Sequence, residues 1–444
     1  TGIDHLHTSE EEGTELEVRR RIGAFAHGAS FAQMSSTLLR QATIVHAAVT
    51  GAVPGAPDGA VDVLIVDGAI AEVGMLDAAA AAIADTLVDL DGHLVLPAAV
   101  EPHAHLDKAF LAEREPNETG DLGGAIDAMI RLAGRVDHDD IVERAERAAR
   151  RMSANGYVAV RTHADVTTHN GLTSVLALAE VRERVADVID VEIVALTGTP
   201  VTGADGADHR ALLRDALAAG ADLVGGCPHL EPDGEIEAAT DVFLEIATDA
   251  SVGVDLHTDE TLDPRVMGLE YLARQVLAGF EHRVTASHCV SLGQRDRGEQ
   301  ERIAELVAEA GIGVIALPHT NLWLGGRDRQ PVPRGLTPVG TLRDAGVPVA
   351  AGADNLQDPF NPVGRACPFE TAALMVLVAH DLPEIAWDSV SAASQRVLGL
   401  PAAGIEPGAP ADLLAVPAAS LRQAIAEGPI PRRVFRAGVE IGRK

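Results

Sequence analysis

The sequence predicts a (β/α)8 TIM-like barrel together with a small β-sandwich domain built from both ends of the chain. Three observations carry this reading. Eight short apolar β-type segments alternate with helical runs through the middle of the 444 residues, the pattern of a parallel sheet with crossover helices. The two ends share a β-like, loop-rich character that the middle lacks. Nearly every middle segment also closes on a histidine or an aspartate, and in a barrel such ends gather on one face.

The elements follow in chain order. Residues 1–36 are a charged lead-in, with Ser9-Glu10-Glu11-Glu12 giving way to Arg19-Arg20-Arg21, and are expected to be peripheral. Leu38 to Val45 and Val61 to Val66 read as strands, and Asp67-Gly68 joins the second to Ala69 to Val73 as a tight hairpin. Thr86 to Leu90 adds a further strand before Asp91-Gly92. The apolar run Leu94 to Ala99 then leads into Val100-Glu101-Pro102-His103-Ala104-His105-Leu106-Asp107-Lys108. Seven later segments complete the eight: Tyr157 to His163, Val191 to Thr197, Leu223 to His229, Gly253 to His257, Arg283 to His288, Gly311 to His319 and Pro348 to Asp354. Helical runs between them include Ile141 to Asn155, Ser174 to Val185, Arg210 to Ala219 and Ile236 to Thr248. Asp139 or Asp140 is placed to cap the first of these and Thr173 the second. Past Leu398 the chain turns β-like again at Gly408 to Val416 and Val434 to Ile441. The expected division is 1–36 peripheral, 37–97 plus 398–444 small β domain, and 98–397 barrel.

Charge narrows the partners. Lys+Arg 35 against Asp+Glu 66 gives a formal net charge of -31, which disfavours nucleic acid and anionic membrane surfaces. No apolar run reaches spanning length. Cys227, Cys289 and Cys367 form no Cys-x-x-Cys pair and are odd in number, which suits a reducing compartment. The first residues are polar and acidic, unlike a secretory signal, so a cytoplasmic location is expected. His5-x-His7 repeats the spacing of the main motif in a polar tail and reads as incidental.

The chemistry is carried by the segment ends: His103 and His105, His163, His229, His257, His288, His319 and Asp354. Side chains two apart on a strand point to one face, so His103 and His105 can meet one metal ion. Three neutral imidazoles and a carboxylate suit Zn²⁺ or Fe²⁺ with an open position for water. His103, His105, His257 and Asp354 fit that set best. One divalent ion there would make hydroxide available near neutral pH. Glu260, three residues past His257, is placed to take a proton from water and give it to a leaving group.

Five blocks together resemble the bacterial cytosine deaminase group of the amidohydrolase superfamily. They are Glu101 to Asp107, Arg161 to Val166, Asp255 to Glu260, Val284 to His288 and Gly352 to Asn355, in matching order and separation. Asn321-Leu322-x-Leu324-x-Gly326-Arg327 and Gly408-x-Pro410-Ala411-Asp412-Leu413 are similar to further segments of it. The resemblance runs from about Leu38 to the C-terminus. It implies a mononuclear Fe²⁺ or Zn²⁺ site on His103, His105, His257 and Asp354. It also implies that Glu260 shuttles protons, that His288 hydrogen-bonds the attacking hydroxide or the substrate, and that Asp354 accepts the proton of the activated water. Ammonia would leave an amidine-like ring carbon. Leu223 to His229 contains no Lys, whereas binuclear members bridge their ions with a carboxylated lysine there. Members are often oligomeric, so a homo-oligomer is compatible with the resemblance.

Two departures bear on the substrate. Gly198 stands where cytosine-specific members carry a ring-reading glutamine, and Asn355 where they carry a second aspartate. An amide and a carboxylate differ in donor and acceptor pattern, so the ring need not be cytosine. Lys108, His319, Trp323, Phe360 and Arg334 are further candidates for the pocket lining. Lys108 and Asn355 also resemble the N-alkylammelide amidohydrolases, which remove an amine from a triazine ring. A cyclic amide hydrolase, and a barrel that binds without catalysis, are the remaining alternatives.

Overall fold

The computed structural model describes residues 35–44, 60–76, 81 and 84–442. The charged lead-in before Ser35, His5-x-His7 and most of the alanine run 78–82 lie outside them. The chain divides into two compact units, one within Thr1–Ala99 and Pro401–Lys444, the other Val100–Leu400.

The first unit holds strands β1 (Ser36–Ile44), β2 (Val61–Val66), β3 (Ala69–Gly74), β4 (Thr86–Asp89) and β5 (Leu94–Pro97). The second unit holds β6 (Ala99–Ala104), β7 (Tyr157–Val166), β8 (Asp190–Thr197) and β9 (Leu223–Gly226). It continues with β10 (Val254–Thr258), β11 (Val284–His288), β12 (Gly313–Ala316) and β13 (Val349–Ala351). The C-terminal stretch returns to the first unit as β14 (Leu413–Val416), β15 (Arg433–Arg436) and β16 (Val439–Ile441).

Both ends of the chain build the smaller unit, as the sequence predicts. Its strand order is β16-β15-β14-β5-β1-β2-β3, with β4 also on β1. The join between the chain ends is antiparallel, Leu413 opposite Pro97 and Leu414 opposite Leu96. Asp67 and Gly68 have φ of 50° and 79°, the left-handed pair that a two-residue hairpin demands. Leu39, Val63, Ile65, Val95, Leu413 and Phe435 share one buried core, because residues two apart face the same side. A helix at Leu421–Glu427 falls in this unit where only β character is expected; Ser420 caps it by accepting from the Gln423 N–H at 3.2 Å.

The larger unit is the barrel. Its eight strands run in the order β13 back to β6, and the pairs from β7 to β13 are parallel. The ring is joined by a parallel bridge between Ala104 and Asp354, with the Asp354 N–H donating to the His103 carbonyl at 3.1 Å. Strands such as β6, β9, β10 and β11 are buried throughout, as expected of a parallel sheet covered on both faces.

Several local expectations need correction. Asp137, not Asp139 or Asp140, caps the helix His138–Asn155, accepting from the Asp140 N–H at 3.0 Å. Asp139 and Asp140 occupy the first turn instead, where carboxylates favour the helix dipole. Thr173 is already the first residue of the helix Thr173–Val185, whose N-cap position is Leu172 without a side-chain bond. β9 and β12 stop at Gly226 and Ala316, short of the predicted histidines. Pro228 and Pro318 open a 3-10 turn (Pro228–Leu230) and a helix (Pro318–Leu324), since proline is preorganised for a first helical position. His229 and His319 therefore sit in helical turns rather than at strand ends. Among the described residues no helix is long and apolar enough to cross a membrane, and no disulfide joins Cys227, Cys289 and Cys367.

Candidate metal centre and substrate cavity

The barrel interior collects the polar residues at the C-terminal ends of its strands. Alternation on β6 sends Glu101 and His103 inward, with His105 next on the same side, and all three are buried. Glu101 ties the ends of the barrel together. Its carboxylate accepts from the Ala353 N–H at 3.0 and 3.1 Å and from the His103 N–H at 3.3 Å. Burial nevertheless pushes its pKa up to about 8. His288 and Asp354 have φ of 67° and 63°, and Asp259 and Cys289 have 53° and 51°. Non-glycine residues in that region are strained and persist where surroundings over-determine them. Here the Cys289 N–H donates to the Thr258 carbonyl at 2.8 Å, and the Asp259 carboxylate receives the N–H groups of Gly268 and Leu269 at 2.9 Å each.

His105 Nε2 lies 3.2 Å from Asp354 Oδ1 and 3.3 Å from His257 Nε2, and His103 Nε2 lies 3.7 Å from the same carboxylate oxygen. Donors about 2.0–2.2 Å from one tetrahedral cation would stand roughly 3.3–3.6 Å apart, so the cluster has the dimensions of a metal centre. Its orphaned atoms agree: both ring nitrogens of His103, Nδ1 of His257 and Oδ2 of Asp354 are buried without hydrogen-bond partners. Burial first, then neighbouring imidazoles, hold His103 and His257 well below the usual histidine pKa, so the rings are neutral and able to ligate. These residues fit one cation with an N3O donor set. His103, His163 and Asp255 form another grouping of ligand-type atoms, but Asp255 is engaged by the buried Arg161 guanidinium at 2.7 Å. That pairing makes it a poor second site.

Beside the cluster, the Asn321 amide nitrogen donates to His288 Nδ1 at 2.9 Å and faces Glu260 Oε1 at 3.4 Å. An amide nitrogen only donates, so Nδ1 accepts and the neutral His288 ring carries its proton on Nε2. That Nε2 is buried without a partner, a donor aimed at an unfilled role. Glu260 Oε1 is 3.4 Å from His288 Nδ1, its side chain 11 % exposed. Burial and the Asp354 charge push the Glu260 carboxyl well above its usual range.

A cavity of about 340 Å³ opens on this group, lined by His105, His257, Glu260, His288 and Asp354. Lys108, Gly198, Asn355 and Phe360, candidates for substrate contact from the sequence, also line it. Lys108 is nearly buried, with Nζ 2.6 Å from Asp165 Oδ1 and 3.1 Å from His105 Nδ1. Burial alone would lower its pKa, but Asp107 and Asp165 outweigh that and keep it an ammonium. With a cation on His105 Nε2 the ring proton must sit on Nδ1, which leaves Asp165 as the partner of the ammonium. The Asn355 amide is partly committed, accepting from Thr320 Oγ1 at 2.9 Å and donating to Asp358 Oδ2 at 3.0 Å.

The remaining candidates lie elsewhere. His319 pairs with Thr371 Oγ1 at 3.2 Å, Trp323 stacks under the Arg327 guanidinium at 4.2 Å, and Arg334 bonds the Val378 carbonyl and His380. None of the three lines the cavity. His229 donates to the His257 carbonyl at 3.1 Å, which steadies a ligand strand. Sequence reasoning misses the helix Leu122–Leu132, whose Leu122, Ile126, Met129 and Ile130 form an apolar wall of the cavity. The helical spacing of these residues was a visible signal, though spacing alone does not tell a cavity wall from core. Cys227, His209 and the turn Thr167 to Asn170 are also part of the lining.

The sequence pattern of the amidohydrolase family matches residues 125–426. The chain belongs to the amidohydrolase family. Glu260, His288 and Asp354 fall within the matched part of this amidohydrolase. Across 422 residues it is 34% identical to a pterin deaminase of Rhizobium rhizogenes, covering 91% of this chain and 94% of that protein. The crystal structure of 5-methylcytosine deaminase from Klebsiella pneumoniae with 5-fluorocytosine superposes with a TM-score of 0.81 at 29% identity, covering 92% of this chain and 97% of that one. N-isopropylammelide isopropylaminohydrolase from Burkholderia multivorans gives 0.76 at 29% identity, covering 92% and 98%. The chain is thus a hydrolase of carbon–nitrogen bonds.

Proposed function

We propose that this amidohydrolase is a hydrolytic deaminase that removes ammonia from an amino-substituted, fused nitrogen heterocycle of the pterin type, using one Zn²⁺ or Fe²⁺ per chain. The observation that carries the reading is the convergence of His103, His105, His257 and Asp354 at a cavity that Glu260 and His288 share. The likeness to a pterin deaminase supports the ring class. So does the cavity: about 340 Å³ falls in the roughly 300–1,000 Å³ range of small-molecule sites and leaves room for a second ring against the apolar helix wall.

A divalent cation held by those four residues would supply Lewis-acid activation of water. The chain's own groups do the rest. Glu260 takes a proton from water and returns it to the departing nitrogen, a transfer its raised pKa suits. His288 offers its Nε2–H to the oxygen that attacks, while Asn321 holds the ring in that tautomer. Asp354 accepts the second water proton, which ends on the ring nitrogen as the carbonyl forms and ammonia leaves. The apolar wall of Leu122, Ile126 and Met129 grips the unreactive end of the ring and excludes bulk water.

The test is an ammonia-release screen of the purified protein with pterin, cytosine, isocytosine and N-isopropylammelide, with metal content measured on the same sample. Ammonia from pterin well above the other rings is expected. One specific observation favours a second reading: Lys108 and Asn355 line the cavity, as the likeness to the ammelide enzymes would have it. Release of isopropylamine rather than ammonia would replace the first reading with that one.

A further inference from the structure

We infer that His209 is a specificity-determining residue, an acceptor that takes a hydrogen bond from a ring N–H of the substrate across the gap left by Gly198. The inference rests on the pterin-type reading above and deepens it. His209 lies in the first turn of the helix Ala207–Ala218, and its Nδ1 is 2.8 Å from the Pro200 carbonyl oxygen. A carbonyl only accepts, so Nδ1 carries the proton and the neutral ring leaves a lone pair on Nε2. That nitrogen makes no hydrogen bond among the described residues. It faces Gly198: a Cβ added there would come within 3.0 Å of His209 Nε2 and 3.4 Å of its Cδ2. Any larger residue at 198 would cover the imidazole, whereas glycine lets its edge look into the cavity that both residues line.

The surrounding loop is built to hold this acceptor still. The buried Glu231 carboxylate receives the Val201 N–H at 3.0 Å, the Thr202 N–H at 2.9 Å and the Thr202 hydroxyl at 2.7 Å. The Arg210 guanidinium donates to the Val201 and Gly203 carbonyls at 2.6 and 2.9 Å. These bonds fix the Pro200 carbonyl, which in turn fixes the tautomer and tilt of His209. A preorganised acceptor discriminates strongly, because a ligand without the matching N–H leaves it desolvated and unpaired. A 2-amino-4-oxopteridine offers such a donor in its lactam N–H; the N3-methyl analogue does not.

The experiment measures quenching of pterin fluorescence on binding, with ammonia release in parallel, for wild type, His209→Phe, His209→Gln and Gly198→Ala. Pterin and 3-methylpterin are the probes. His209→Phe should weaken pterin binding and raise KM by about 10-fold or more, with kcat and metal content changed far less. It should also abolish the preference for pterin over the N-methyl ring. His209→Gln, which keeps an acceptor, should recover most of the affinity, and Gly198→Ala should lose part of it. Thermal unfolding of each variant reports whether the barrel is intact. Unchanged pterin affinity in a folded His209→Phe protein would overturn the role of His209 and leave the ring class standing. If wild type neither binds nor deaminates pterin, the ring class and this inference fall together.

Discussion

Replacing Glu260 with Gln isolates proton transfer from everything else the site does. Gln has nearly the same shape, and among the described residues Glu260 accepts one long contact, 3.4 Å from the Asn321 amide nitrogen, so the fold loses under about 1 kcal/mol. The substitution also removes a carboxylate that competes electrostatically with Asp354, which leaves the metal ligands no worse off. The rate, by contrast, loses a positioned acid–base group worth about 10²–10⁴-fold, or roughly 3–5 kcal/mol of barrier at 1.36 kcal/mol per decade. Stopped assays of ammonia release, metal analysis and thermal unfolding on the same preparation separate these effects. The expected result is turnover reduced about 1,000-fold with metal and unfolding temperature retained. Turnover within threefold of wild type would refute the assignment, and loss of metal together with activity would show that Glu260 acts as a ligand or its support.

Other expectations test the remaining parts. His257→Ala should lower metal content well below one per chain, and chelation of the wild type should lower its unfolding temperature, because an ion that binds only the folded state adds stability by mass action. Arg161→Met should destabilise the barrel by about 3–5 kcal/mol in denaturant titration, since it strands the buried Asp255 beside the Thr285 hydroxyl; a cost below 1 kcal/mol would contradict that picture. Glu270 is held at about 2, from an ordinary 4.5, by hydrogen bonds from Arg302 and then Arg274. Its folded pKa is depressed, so its contribution is full above pH 4.5 and fades as pH falls toward 2. Glu270→Gln should therefore cost about 1 kcal/mol near neutral pH, allowing for exposed arginine partners, with the difference closing across that acid window. A pH-independent difference would remove the ion-pair explanation.

Much of this protein is legible in its sequence. Period-2 and crossover patterning predict the barrel, and the i, i+2 rule puts His103 of β6 and His105, just past its end, on one side whatever surrounds them. The regular fall of His257, His288 and Asp354 at segment ends points to one centre, because parallel strands bring their C-terminal ends together. Asp67-Gly68 announced its hairpin for an equally local reason, the need for two left-handed residues.

Tertiary structure alone decided what surrounds that centre. Pro228 and Pro318 turn the chain before His229 and His319 can extend their strands, so a ligand-type residue at the end of an apolar run did not suffice to place it in the cavity. Trp323 and Arg334 found partners elsewhere, and the helix Leu122–Leu132 brought an apolar wall that could equally have been core. His209 came into view only because a helix packs behind a residue with no side chain. Local spacing sets which way a side chain points, but what it meets depends on segments far away in sequence, and that is a property of the folded chain.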